Sequence, residues 1–220
     1  MVKKTGRRNA GRSFQPAPFR STFFGSMSKR ILVYGFGPYG AFRDNITAGI
    51  LQGLPRHAGL TKHVFPVRFN RRQFVAALRH AKPDIVLGLG QSSRRQIEIE
   101  SRGVNHRRDD RSAKRRAIFA TEPKQLATTF KIKAGRWARV SRNAGDYVCN
   151  YSIYVLLREI KQHKLAVRLG FIHIPHDYDR TKARALIRKV LRQCETEKTR
   201  SYAVRKKHSA GQQDPSRVGR

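Results

Sequence analysis

Ile31-Leu32-Val33-Tyr34-Gly35-Phe36-Gly37-Pro38-Tyr39-Gly40 is the stretch from which the fold is read. Four consecutive apolar residues suit a strand buried on both faces, and the Gly/Pro-rich loop behind them is expected to end it. Asp44 or Asn45 can then cap a helix that runs to about Leu54. The spacing of the loop glycines fits neither G-x-G-x-x-G nor the P-loop, and its two aromatics, Phe36 and Tyr39, suit an apolar pocket better than a phosphate cradle. Further out, His63 to Val67 reads as a second strand. Asn70 to His80 reads as a helix, with Phe74, Val75 and Leu78 on one side. Ile85-Val86-Leu87-Gly88-Leu89 reads as a third buried strand, ending at Gly90-Gln91-Ser92-Ser93. Strand, helix, strand, helix, strand predicts an α/β chain built on a mostly parallel twisted sheet with covering helices. In such sheets ligand sites gather at the carboxyl ends of the strands, where both glycine-containing loops lie.

The second half is less regular. Gln96 to Val104 alternates Ile97 and Ile99 with Glu98 and Glu100, which predicts a half-exposed strand. Residues 106–116 are rich in Arg and Lys with two Asp and read as a solvated loop. Residues 117–136 carry no clear pattern. Trp137 to Val140 suits a short strand. It leads into Asn143-Ala144-Gly145-Asp146-Tyr147-Val148-Cys149-Asn150-Tyr151, a turn-prone segment running into a helix-periodic stretch from Val148 to Ile160. Ala166 to Ile172 is expected to be the last core strand, followed by His173-Ile174-Pro175. Asp179 to Cys194 is an amphipathic helix.

The chain of 220 residues carries a formal net charge of +34. Residues 1–28 hold +6 and residues 196–220 hold +5, which leaves +23 for the middle. A field of that sign draws polyanions, at least non-specifically. The ends read as disordered basic extensions, 1–28 and 196–220, around one domain over 29–195, and Met27 is a candidate initiator. With two cysteines, no apolar secretory segment and no apolar run long enough to span a membrane, a reducing, cytoplasmic setting is expected. No cluster with metal-ligand spacing stands out, so no metal or other cofactor is expected.

Cys149 falls where the first turn of a helix begins. Free backbone N–H groups and the positive end of the helix dipole favour a thiolate there. A small apolar residue packed under the helix accounts for the same position. Glu100 and His173 lie at other strand ends, and a cysteine nucleophile needs such a base and such a carboxylate. Each also has a plain structural reading, as a solvent-facing glutamate and a satisfied strand-end histidine. Cys194, late in its helix, reads as inert.

The blocks Ile31–Gly40, Gly90-Gln91 with Glu100 and Asn105, Asn143–Asn150, and Gly170-Phe171-Ile172-His173-Ile174-Pro175 resemble the pyroglutamyl peptidase I family, in the family's order and over roughly residues 30–176. That resemblance implies a three-layer α/β/α sandwich and a cysteine peptidase that removes N-terminal pyroglutamate from peptides. It places Glu100, Cys149 and His173 on the catalytic triad. It puts Phe36, Tyr39, Tyr147 and Val148 on the apolar pocket for the pyrrolidone ring, and Asn45 and Gln91 on polar positions beside it. The chain departs from the family at Ser92-Ser93, which stand for Gly-Gly, at Ile46 for Pro and at Ser101 for Arg. The segment between Asn105 and Asn143 is short for the family. There the resemblance implies an arginine near the oxyanion, for which Arg111 is the candidate, and part of a subunit contact. The alternative from another functional class is a basic nucleic-acid-binding protein on this scaffold, supported by charge alone, since no RNP, zinc or helix-turn-helix signature occurs.

Overall fold

The computed structural model describes residues 29–196, apart from Arg111 and Ala134. The expected terminal extensions, Met27 and Arg111 lie outside the described residues, except that Thr196 is the last residue of the final helix. The elements run β1 (Ile31–Phe36), α1 (Ile46–Gln52), β2 (Leu60–Phe65), α2 (Arg71–Ala81), β3 (Ile85–Ser92), β4 (Ile97–Glu100), β5 (Arg102–Val104), β6 (Gln125–Ala127), β7 (Ala138–Ser141), α3 (Val148–Gln162), β8 (Arg168–Pro175) and α4 (Arg180–Thr196).

Six strands form the main sheet in the order β2-β1-β3-β8-β4-β7, and β5 pairs with β6 beside it. All neighbours in the main sheet are parallel except β4 and β8. Helices cover both faces. Ile31, Val33, Ile85, Leu87, Leu89, Ile172 and Ile174 face α1 and α4, where Ile46, Ile50, Ile187 and Val190 complete one core. Leu32, Tyr34, Phe36, Val86, Leu169 and Phe171 face α2 and α3, where Phe74, Leu78, Val148, Ile153 and Leu156 complete the other. Strand alternation divides each strand between two layers, so continuous apolar runs at β1 and β3 are what a doubly covered sheet requires. At about 1.5–3 kcal/mol per large apolar side chain, these two cores are the main favourable contribution to folding.

The capping residues behave as their chemistry predicts. Asn45 accepts from the Thr47 N–H and Asn70 from the Arg72 N–H. Buried Glu159 on α3 receives Arg71 and Arg79 of α2 at 3.0 and 2.9 Å, which ties the two helices together.

Several expected boundaries move. β1 runs on through Gly35 and Phe36, because both pair with Val64 and Phe65 of β2. A Cβ at 35 would lie 2.7 Å from Thr47 Oγ1, so glycine there is what lets α1 close on the strand. β2 starts earlier than expected, at Leu60. β3 continues through Gly90, Gln91 and Ser92, which pair with His173, Ile174 and Pro175 of β8. The stretch from Gln96 to Val104 is two strands rather than one, and its glutamates are not solvent-facing: Glu98 and Glu100 are fully buried. In 117–136, where the sequence shows no pattern, Phe130 and Ile132 pack into the α1/α4-side core, and the Thr129 and Phe130 N–H groups donate to the Leu169 carbonyl.

Candidate active site

The parallel order carries β1, β3 and β8 to one end of the sheet, and α3 starts above it. Asn143–Tyr147 makes the approach. Gly145 adopts φ +79°, a left-handed conformation that a side chain would strain. Asp146 pairs with Arg108 and Arg115 at 3.0 and 3.1 Å, and its carbonyl accepts from the Arg108 N–H. Asn150, fully buried in the first turn of α3, exchanges hydrogen bonds with both backbone groups of Val104 and donates to the His106 carbonyl. The helix start is thus pinned to β5 from one side and to the basic 106–116 segment from the other. Its N-cap, Tyr147, supplies no side-chain hydrogen bond, so the first-turn N–H groups keep their donor capacity.

Cys149, the second residue of α3, meets His173 of β8 above Gly90 of β3. A Cβ built on Gly90 would lie 2.8 Å from both Cys149 Sγ and His173 Nε2. No residue with a side chain fits at that point. On the far side of the imidazole, His173 Nδ1–H donates to Glu100 Oε1 at 2.7 Å, with both groups buried. The antiparallel pairing of β4 with β8 produces this contact. Glu98 is directly opposite His173, and Glu100, two residues on, projects from the same face. Burial by itself would lower the His173 pKa. The charge of Cys149, the hydrogen bond to it and the Glu100 carboxylate outweigh that and raise it to about 9.

Glu98 is the neighbour that sequence reasoning missed. Its carboxylate is gripped by Arg94 and by Arg139, the latter through Nε at 2.6 Å. Arg94 also donates to the Asn143 carbonyl at 2.7 Å, linking the loop after β3 to the approach to α3. One ligand atom each from Glu98, Glu100 and His173 lies within 4.8 Å of the others. With two guanidiniums on Glu98 and His173 on Glu100, the set has the chemistry of an ion-pair cluster rather than of a cation site.

The expected pocket residues divide in two. Tyr39 and Tyr147 come together with tilted rings, centroids 6.3 Å apart, with Phe42 against Tyr39 and Phe69 edge-on to Tyr147 at 5.3 Å. Phe69, unpredicted, carries the Arg107 guanidinium over its ring at 4.8 Å. Its signal in the sequence was its place in the loop after β2, at the carboxyl end of a parallel strand. Phe36 and Val148 are buried in the core on the α2/α3 side. Asn45 caps α1 and donates to the Gly37 carbonyl at 3.0 Å. Gln91 Oε1 accepts from the Ile46 N–H, while its Nε2 is a buried donor with no protein partner. Among the described residues no helix is long and apolar enough to cross a membrane.

A sequence profile of the family described as pyroglutamyl peptidase matches residues 29–184. Pyrrolidone-carboxylate peptidase 1 of Caldanaerobacter subterraneus is 32% identical over 168 residues, covering 67% of this chain and 82% of the relative. The pyrrolidone-carboxylate peptidase of Brevibacillus brevis is 33% identical over 169 residues, covering 67% and 79%. Among solved structures, a variant of the pyrrolidone carboxyl peptidase of Pyrococcus furiosus superposes with a TM-score of 0.65 at 25% identity, over 74% of this chain and 96% of that one. Pyroglutamyl peptidase I of Bacillus amyloliquefaciens gives 0.69 at 24% identity, over 78% and 97%, a likeness of fold. With the profile spanning most of the sheet and its helices, and with relatives above 30% identity, this chain belongs to the pyroglutamyl peptidase family.

Proposed function

We propose that the chain removes N-terminal pyroglutamate from peptides, with Cys149 as nucleophile, His173 as proton carrier and Glu100 as the group that orients it. The observation that carries this reading is the convergence of Cys149 Sγ and His173 Nε2 on the slot over Gly90, with Glu100 behind the ring. Cys149 Sγ, as thiolate, adds to the pyroglutamyl carbonyl. The carbonyl oxygen takes the negative charge and receives hydrogen bonds from first-turn N–H groups of α3, each such donor being worth about 3 kcal/mol in serine peptidases. Collapse breaks the C–N bond, and the departing amine takes the proton from His173. The resulting thioester is hydrolysed by water: His173 accepts a water proton, hydroxide adds to the acyl carbon, and the thiolate leaves with free pyroglutamate. Glu100 holds one tautomer and stabilises the imidazolium between the two steps.

Phe36, Tyr39, Tyr147 and Val148 supply the apolar walls for a flat, uncharged five-membered ring. The unpartnered Gln91 Nε2 is a donor for a ring oxygen, and Asn45 holds the Gly37 carbonyl in place as an acceptor. The test is hydrolysis of a pyroglutamyl fluorogenic amide by the wild type and by Cys149→Ala. The expected result is turnover that falls at least about 10⁴-fold in the variant. Turnover surviving in Cys149→Ala overturns the reading. So does an inactive wild type that instead binds RNA tightly and releases it in salt.

A further inference from the structure

We propose that Tyr34 and Ser152 form a positioning relay that fixes the first turn of α3, and with it Cys149, over the sheet; the proposal rests on the reading of Cys149 as the nucleophile. Tyr34 is a fully buried residue of β1. Its ring packs edge-on against Phe36, Phe65 and Phe171, at 5.9, 5.4 and 6.2 Å between centroids. None of that packing needs an oxygen, and a phenol hydroxyl buried there is costly without a partner. It finds one 118 positions away, in Ser152 Oγ at 3.0 Å. Ser152 Oγ in turn donates to the Cys149 carbonyl at 2.8 Å.

The direction of the chain follows from counting hydrogens. A serine hydroxyl has one, and Ser152 gives it to the carbonyl, so Tyr34 is the donor between the two. Tyr34 O–H therefore points to Ser152, and Ser152 O–H to the backbone of the nucleophile. The sheet is cut to accommodate this. A Cβ at Gly88 would run first into the Phe171 ring and would lie 2.7 Å from the Tyr34 hydroxyl, just as one at Gly90 would meet Sγ and Nε2. Alternate residues of β3 face the same side, so one glycine clears space for the relay and the next for the reacting pair. Burial first, and then the charge of Cys149, push the Tyr34 pKa far above its ordinary value, against the opposing effect of its hydrogen bond with Ser152. The hydroxyl is therefore a neutral donor beside the nucleophile and never a second anion there. Placement errors of an ångström at a reacting atom cost rate steeply, which is the effect a rigid first turn prevents.

The test uses Tyr34→Phe, Ser152→Ala and the double variant of the full chain. Two quantities are measured, kcat and KM on a pyroglutamyl amide and the rate of Cys149 alkylation by iodoacetamide. Each single change is expected to lower kcat and slow alkylation about 5- to 10-fold with KM unchanged. The double variant is expected to match either single rather than their product, because removing one link breaks the whole relay. Ser152→Thr, which keeps the hydroxyl, is expected to restore both rates. Losses that multiply in the double variant, or full rates in the singles, overturn the proposal. The alkylation arm needs no substrate, so it decides the question even if the wild type fails to cleave pyroglutamyl amides. If Tyr34→Phe does not fold, Ser152→Ala and Ser152→Thr carry the same test.

Discussion

The sheet has one cysteine on each side, and the two sides treat it differently. On the side of α1 and α4, Cys194 lies near the end of α4, fully buried among Val190, Leu191 and Ile31. Burial pushes its thiol up to about 12, with the Glu195 charge adding to the effect. On the side of α2 and α3, Cys149 begins a helix, half-buried, beside a histidine backed by a carboxylate. The difference has little to do with the residue itself. It comes from where along its helix each cysteine falls and from what the sheet presents underneath: branched aliphatic side chains on one side, and on the other Gly88 and Gly90 with Glu98, Glu100 and His173. One face of the sheet is apolar along its length, and the other, apolar over most of its extent, holds charge at its carboxyl end.

Glu100→Gln is the strongest way to break that contrast short of removing the cysteine. It is nearly isosteric, so it leaves the fold in place and takes away the charge behind His173. A fall in kcat/KM of about 10³-fold or more is expected, as for removal of the carboxylate in other triads. The alkaline limb of the pH–rate profile is also expected to move. In the wild type His173 must be protonated to release the amine, so activity should decline through pH about 9. Without Glu100, which is one of the groups raising that pKa, the limb should shift to lower pH. The stability linkage has the same sign. A histidine whose folded pKa lies above its unfolded value adds stability that is complete below about pH 6.5 and is lost as pH rises through about 9. Steady-state rates from pH 6 to 10 check this, and an unshifted limb in Glu100→Gln would show that the carboxylate does not act through His173.

Selective alkylation comes next in size. At pH 7.5 the native chain should take up a single iodoacetamide adduct, at Cys149, while Cys194 reacts only after denaturation. Mass spectrometry of the two cysteine peptides reads this directly. Equal labelling of both would mean that the α1/α4 face opens as readily as the site, and the contrast between the faces would fail.

Much of this was legible in the residues. The runs at Ile31 and Ile85, the caps at Asn45 and Asn70 and the helical period after Cys149 all specify local structure through local chemistry, and each element formed. The glycine-rich ends of β1 and β3 misled because glycine was read as a strand breaker. At Gly35 and Gly90 it instead marks where another part of the chain comes close. In β4 the period of two was correct, but the polar face was assigned to water. Arg94, Arg139 and His173 cover it, and those partners come from three other segments that alternation cannot reveal. The antiparallel insertion of β4 between β8 and β7 is a tertiary choice of the same kind. Phe130 and Ile132 are held by β8 rather than by any period of their own, which is why residues 117–136 were unreadable.

The mildest test for activity makes one substitution on the α1/α4 face. Cys194→Ser exchanges a buried thiol for a hydroxyl of similar size with a stronger need for a hydrogen-bond partner. The side chains of Val190, Leu191 and Ile31 offer none, which leaves only the carbonyls of its own helix, so the change should cost about 1 kcal/mol of unfolding free energy. Urea denaturation would show a lower midpoint with an unchanged slope. The site lies at the other end of the sheet, above the carboxyl ends of β1, β3 and β8, whereas Cys194 lies near the residues that start β1. No hydrogen bond or charge of the Cys149–His173–Glu100 group passes through it, so kcat and KM at a temperature well below the melting transition should match the wild type. The same substitution at Cys149 should do the reverse, removing activity and leaving the denaturation midpoint almost unmoved. If Cys194→Ser lowered kcat while the protein stayed folded, packing on one face would be setting the geometry on the other. The sheet would then have to be treated as one mechanical unit rather than as two faces with separate tasks.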